Sequence, residues 1–166
     1  MKVQSRLLLL IVLCATMFAV TLEARARQSS QDAAAKPAGA SEADLAAIKQ
    51  TALDYIEGYY EGNGERMERA LHPELAKRIV HTDPKSGRSR LDQMSAMSLV
   101  LGTRSRASRP TPKEKRQNDV TVLDVFENTA SVKIVATDWV DYLHVAKFNG
   151  RWVIVNVLWE LKPRQK

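Results

Sequence analysis

Asp141, Tyr142 and His144 fall within four residues of one another and carry the side-chain types with which proteins move protons. An imidazole titrates near neutral pH, and a carboxylate held in an apolar pocket has its pKa raised into a useful range. Upstream, Tyr55 and Tyr59 lie about one helical turn apart and can offer hydroxyls to position a substrate. Cofactor-free proton transfer, such as isomerisation or dehydration, is the chemistry these groups allow. Strand alternation limits the set. It sends Asp141 to one face and Tyr142 with His144 to the other, so at most two of the three reach one pocket. Asp141, His144, Tyr55 and Tyr59 are the catalytic candidates. The competing reading gives Tyr142 and His144 structural hydrogen bonds on a packed or dimer face, and Asp141 a strand bend.

Trp139, Trp152 and Trp159 can stack on a flat heterocycle, although each is first a core anchor that buries roughly 150–250 Å². Asn156 sits in the apolar run VIVNVLW, where a buried amide must find a partner. Tyr142, Trp152, Asn156 and Trp159 are therefore the ligand-binding candidates. His72, His81 and His144 lack metal-ligand spacing and no cysteine supports them, so neither a metal nor a cofactor is expected. Arg104, Arg106, Arg109, Lys113, Lys115 and Arg116 crowd a polar stretch with no interleaved aromatics. That pattern lacks the stacking platforms of a nucleic-acid site and reads as a solvated, mobile loop near a pocket mouth.

The elements that must position these residues centre on Trp139 to Glu160. Asn149-Gly150 between two Val-, Leu- and Trp-rich runs is a hairpin signal, because a type I′ turn needs φ > 0 at both central residues. With a regular ladder, Tyr142, His144, Val157 and Trp159 share one face. Asp141, Leu143, Trp152, Asn156 and Leu158 then share the other. Both faces are largely apolar. One packs on helices and the other on a second layer or a partner subunit, which predicts a homodimer.

Ser41 with Asp44 is a capping-box-like start, and Leu45, Ile48, Ala52, Tyr55, Ile56 and Tyr59 form one helical stripe ending near Gly62-Asn63-Gly64. Gly58 within it costs about 1 kcal/mol relative to Ala, which implies close packing. A second helix spans Glu65 to Leu71 and breaks at Pro73. Leu75 to Thr82 is open between helix and strand; a hairpin with Ser89 to Met94 is preferred. Met94 to Leu101 reads as a short helix ended by Gly102. Val120 to Phe126 and Thr129 to Thr137 bracket a turn at Glu127-Asn128. The order predicts an α+β fold with helices on one side of a curved antiparallel sheet.

Residues 1–26 read as a signal peptide, with Lys2 and Arg6, an apolar run from Leu7 to Val20, and Ala24-Arg25-Ala26 for cleavage. Residues 27–40 read as a disordered linker, 41–161 as the domain and 162–166 as a basic tail. Cleavage near Ala26 removes the single cysteine and lowers the net charge from +6 to +4, with loss of Lys2, Arg6, Arg25 and Glu23. The expectation is a secreted or periplasmic protein with no disulfide, no stable membrane anchor and no nucleic-acid partner.

The segments ALDYIEGYYEGNGERMERALHPELAKRIV and NTASVKIVATDWVDYLHVAKFNGRWVIVNVLWE resemble the putative lumazine-binding family of the nuclear-transport-factor-2-like superfamily, with its SnoaL-like or ketosteroid-isomerase-like fold. ALHPEL, DYLHVAK and NGRWVIVNVLW are the most specific parts, and the match spans Ser41 to about Leu161. The resemblance implies a cone in which a strongly bent sheet wraps helices around an interior pocket open at one end, often dimerised through the sheet. The superfamily includes ketosteroid isomerases, scytalone dehydratases, epoxide hydrolases and non-catalytic transport or scaffold proteins. No catalytic motif of those relatives is matched position by position. The sequence thus points to an exported module for a small, mainly apolar or aromatic molecule. The alternative is a proton-transfer enzyme using a pocket Asp or His with a Tyr.

Overall fold

The computed structural model describes residues 40–163. The signal peptide read over 1–26 and nearly all of the linker read over 27–40 lie outside the described residues. Among those described, helix α1 (Glu42–Glu61) is followed by α2 (Gly64–Ala70), strands β1 (Leu71–Thr82) and β2 (Ser89–Ser95), and α3 (Ala96–Arg104). A short 3-10 turn (Lys113–Lys115) then leads to β3 (Asn118–Phe126), β4 (Thr129–Ala136), β5 (Trp139–Phe148) and β6 (Arg151–Leu161). The six strands form one curved sheet in the order β2-β1-β6-β5-β4-β3. All neighbours run antiparallel except β1 and β6, which run parallel. None of the described helices is long and apolar enough to cross a membrane.

Helix α1 starts where the capping pattern requires. The Ser41 hydroxyl accepts from the Asp44 backbone N–H at 3.0 Å. It ends on Gly62 in the left-handed conformation, φ 69°. Between them Ile48, Ala52, Tyr55 and Ile56 are buried against the concave face of the sheet, on Val132, Ile134, Leu143, Val145, Ile154 and Val157. Asp44 also joins this helix start to the main hairpin. Its Oδ1 accepts from Lys147 Nζ and from Trp152 Nε1, each at 2.8 Å. The close packing inferred at Gly58 is present: a Cβ there would lie 3.0 Å from the Met67 backbone nitrogen. The Asn149-Gly150 turn has φ of 50° and 78°, the pair of left-handed conformations a type I′ turn uses.

Three details differ from the sequence reading, each for a local reason. Leu71 to Thr82 is strand throughout, so the second helix stops at Ala70. Pro73 sits inside an irregularity where Leu71 to Ala76 of β1 spans only Ile154 to Asn156 of β6, and this absorbs its missing N–H. Helix α3 begins at Ala96, capped by the Ser95 hydroxyl, and runs through the solvent-facing Gly102 to Arg104. In the basic stretch read as a solvated, mobile loop, Arg104, Arg109, Lys113 and Lys115 are exposed as expected, but the stretch is tied to the domain at several points. Arg104 pairs with Glu68 at 3.0 Å, Arg116 with Glu61 at 3.5 Å, and the Arg106 guanidinium lies 4.3 Å from the centre of the Tyr59 ring.

The fourth difference decides the site. The β5–β6 ladder is regular from Phe148↔Arg151 to Val145↔Ile154, then slips by one residue at Val155, so that His144 pairs with Asn156 and Asp141 with Trp159. Because side chains alternate, a one-residue bulge reverses the faces of everything beyond it. Trp159 moves to the concave face with Asp141 and Leu143. Asn156 and Leu158 move to the convex face with His144 and Tyr142.

Candidate functional site

The bulge puts Trp159 into the wall of a partly open cavity of about 280 Å³ on the concave face. Helix α1 contributes Tyr55 and Tyr59, α2 Met67, α3 Leu99, and the strands Lys77, Met94, Trp139 and Trp159. Such a volume lies near the small end of pockets that take a small molecule, roughly 300 Å³ and upward. The walls are aromatic and thioether-rich. Tyr59 meets Trp139 edge to face with ring centres 5.2 Å apart, a geometry that fixes the rings of that wall.

One charged group projects into this apolar lining. Lys77 falls on the inward side of β1 opposite Val157, and its side chain is only 6% exposed. Its Nζ donates to Asp141 Oδ1 at 2.6 Å and to the Tyr55 hydroxyl at 2.6 Å. It also lies 4.6 Å from the centre of the Trp159 ring. Asp141 is fully buried, and its second oxygen accepts from Trp139 Nε1 at 2.6 Å. A carboxylate with both oxygens engaged, facing an ammonium, leaves the buried pair neutral as a unit. Burial pulls the Lys77 ammonium below its usual range, against the pull of Asp141 in the other direction. Burial likewise pushes the Tyr55 phenol well above its ordinary value, with the Asp141 charge adding to it, so the hydroxyl stays protonated.

Two donors are left without a hydrogen-bond partner among the described residues. An ammonium has three N–H bonds, and Asp141 and Tyr55 take two of those on Lys77. The Trp159 indole N–H is buried without a hydrogen-bond partner among the described residues. An unsatisfied buried donor costs about 1–3 kcal/mol, so a site that retains one beside a cavity is suited to an acceptor atom. The arrangement can bind a flat molecule by stacking and orient it by one or two acceptors.

The candidate residues separate cleanly. Tyr55, Tyr59 and Trp159 line the cavity, and Asp141 stands directly behind Lys77. His144, Tyr142 and Asn156 lie on the opposite face of the sheet. There Asn156 accepts from Arg78 at 2.8 Å and contacts His144 Nδ1 at 3.3 Å. His144 lines a separate surface groove of about 290 Å³ with Asp124, Phe126 and Ser131, and Phe126 is 71% exposed there. Trp152 packs at the other end of α1, with its indole N–H on Asp44. His72 and His81 are engaged apart from one another: His72 Nδ1 accepts the Glu74 N–H, and His81 faces Asp92 at 3.4 Å. Among the described residues no group of three His, Cys, Asp or Glu side chains is placed to hold a metal ion.

Lys77 is the site residue that sequence reasoning missed. In LAKRIVHT it precedes Arg78 and reads as half of a solvated basic pair. The available signal was alternation: Leu75, Lys77 and Ile79 share a strand face, which puts a lysine in line with two core residues.

Comparison with known proteins agrees with this architecture. A family model described as "Putative lumazine-binding" matches residues 43–160. Among solved structures, an NTF2-like protein of unknown function from Silicibacter pomeroyi DSS-3 superposes with TM-score 0.60 at 16% identity, covering 72% of this chain and 97% of its own. An NTF2-like protein of unknown function from Methylobacillus flagellatus KT gives TM-score 0.59 at 20% identity, over 76% of this chain and 98% of that one. A structure titled as a putative scytalone dehydratase from Novosphingobium aromaticivorans DSM 12444 gives 0.51 at 14% identity, over 73% and 85%. At these identities the likeness is one of fold. No curated protein matches the sequence.

Proposed function

Since the chain belongs to the family described as "Putative lumazine-binding", we propose that it is an exported binding module whose ligand is a small, flat, mainly apolar or aromatic molecule bearing hydrogen-bond acceptors. The observation that carries this reading is an aromatic cavity lined by Lys77, paired with Asp141, and by Trp159, whose indole N–H has no partner among the described residues. The walls supply stacking area, while the two donors select an acceptor such as a ring carbonyl. Lumazine, a flat heterocycle with ring carbonyls, belongs to this chemical class.

The alternative, proton transfer by a pocket Asp or His with a Tyr, loses one of its actors because His144 faces outward. Asp141 is sealed behind Lys77, so a general-base role would have to pass through the amine. Binding without turnover is therefore preferred.

Export rests on the Lys2 to Ala26 pattern, and mass spectrometry of the exported protein should find a chain beginning near Arg27. Dimerisation rests on the convex face. Tyr142 and Leu158 lie opposite one another there, 48% and 51% exposed, and Val80 and Leu91 form a second such pair. Sedimentation at micromolar concentration should give twice the mass of one chain; a monomer mass alone would refute the dimer.

Titration of small aromatic compounds, followed by tryptophan fluorescence, tests the binding role. Saturable quenching is expected for some compounds and should disappear in Leu99→Trp, which fills the cavity. Binding that persists unchanged in a folded Leu99→Trp protein would place the ligand elsewhere.

A further inference from the structure

The Lys77–Asp141 pair does more than a binding module needs. A buried ion pair is weak evidence for stability, because well-packed apolar residues of similar volume often do as well or better. A carbonyl acceptor would be served by a neutral donor without the cost of desolvating an ammonium. The site instead places a primary amine in an apolar wall, between a carboxylate and a phenol, both 2.6 Å from its nitrogen. We propose that Lys77 captures aldehyde or ketone ligands covalently, as an imine with Nζ, assisted by Asp141 and Tyr55. This rests on the cavity being the ligand site, as argued above.

The groups present balance the reaction. Nζ passes one proton to Asp141 Oδ1, and the freed lone pair adds to the carbonyl carbon, forming the C–N bond and opening the C=O double bond. The oxygen takes up one proton from Nζ relayed by the Tyr55 hydroxyl, which already accepts an Nζ N–H bond. Asp141, behind the amine, returns its proton to Nζ, and Nζ passes a second proton to the oxygen by the same relay. The C–O bond then breaks and water leaves. Ammonium plus carbonyl becomes iminium plus water, and no oxidant, reductant or further reactant is consumed. The iminium keeps the single positive charge of the ammonium, so the buried ion pair with Asp141 is preserved in the adduct. Burial favours the step by easing loss of the first proton from Lys77.

The test uses the full-length chain, anisaldehyde as the carbonyl probe and cyanoborohydride to fix any imine as a secondary amine. Peptide mapping then compares labelling of Lys77 with that of Lys85, an exposed lysine in the β1–β2 turn, as an internal reference. Holding the carbonyl against the amine should favour Lys77 by at least about tenfold under limiting reagent. Anisyl alcohol, which has the same ring but no carbonyl, should bind by tryptophan quenching and protect Lys77. Lys77→Arg should lose the privileged adduct while Lys85 labelling stays constant. Binding of anisyl alcohol with Lys77 labelled no faster than Lys85 would overturn covalent capture and leave the binding site standing. Preferential Lys77 labelling that anisyl alcohol does not block would overturn the link between the two. If neither compound binds and Lys77 is unlabelled, both readings fall for this class of ligand.

Discussion

Lys77 and Arg78 are adjacent cations on β1, and they meet opposite environments. Lys77 points to the concave face, where its ammonium is buried among Tyr55, Trp139 and Trp159 and held by Asp141. Arg78 points to the convex face and lies in a polar ladder, bonded to Gln93 at 3.0 Å and to Asn156 at 2.8 Å, with His144 beyond. Asp141 and Tyr142 repeat the contrast on β5, one fully buried and the other half exposed. The difference teaches where an electrostatic interaction has consequences. On the convex face water screens each charge and can replace each partner. On the concave face every donor and acceptor must be matched inside the protein or by a ligand.

Breaking the pair on the buried side should have the largest effect. Lys77→Met leaves the Asp141 carboxylate buried without its counter-charge, and it should destabilise the fold by about 3–5 kcal/mol. The double variant Lys77→Met with Asp141→Asn should recover part of that loss in urea denaturation, because no uncompensated charge remains. A single variant as stable as wild type would mean that water reaches Asp141.

Trp159→Phe should be gentler. It keeps the aromatic wall and removes the indole donor, so ligand affinity should fall by about 2- to 12-fold, the worth of one hydrogen bond. Folding stability should change much less than in Lys77→Met. An unchanged dissociation constant for an acceptor-bearing ligand would show that the indole N–H makes no contact with it.

On the convex face Arg78→Met should cost no more than about 1 kcal/mol, since its partners can turn to water. A loss as large as that of Lys77→Met would erase the contrast between the two faces.

The smallest effect should be present near neutral pH and lost in acid. Lys147, Trp152 and Ser41 hold the Asp44 carboxyl down at about 2, below its ordinary 3.8. A depressed carboxylate contributes its stability fully above the unfolded value and loses it as pH falls through the folded one. The melting temperatures of wild type and Asp44→Asn should therefore differ near neutral pH and converge between about pH 4 and pH 2. A gap that stays constant across this range would remove Asp44 from the acid response.

Much of the architecture was legible because local chemistry and tertiary structure agree. Ser41 and Gly62 bound the first helix, and Asn149-Gly150 set the turn from which β5 and β6 are counted. The site was less legible because it depends on one residue of register. Nothing in VIVNVLW announces that Val155 bulges, yet that slip exchanges Trp159 for Asn156 on the concave face. Asn156, expected to need a buried partner, finds Arg78 on the outside instead. Tyr55 and Tyr59 were readable from helical spacing alone. Lys77 was hidden by its basic neighbour, since its identity as a buried cation appears only when Asp141 is brought across the sheet from 64 residues away.

The three tryptophans allow the central claim to be tested in one spectrum. Trp152 Nε1 donates to Asp44, Trp139 Nε1 to Asp141, and Trp159, whose ring lines the cavity, has an Nε1 with no partner among the described residues. In a 15N-labelled chain the indole N–H groups give three resonances, assignable by single Trp→Phe substitutions. Titration with anisyl alcohol should move the Trp159 resonance downfield as the N–H acquires an acceptor, move Trp139 less, and leave Trp152 in place. A saturating titration that shifts Trp152 while Trp159 stays fixed would contradict a ligand site in the Lys77 cavity.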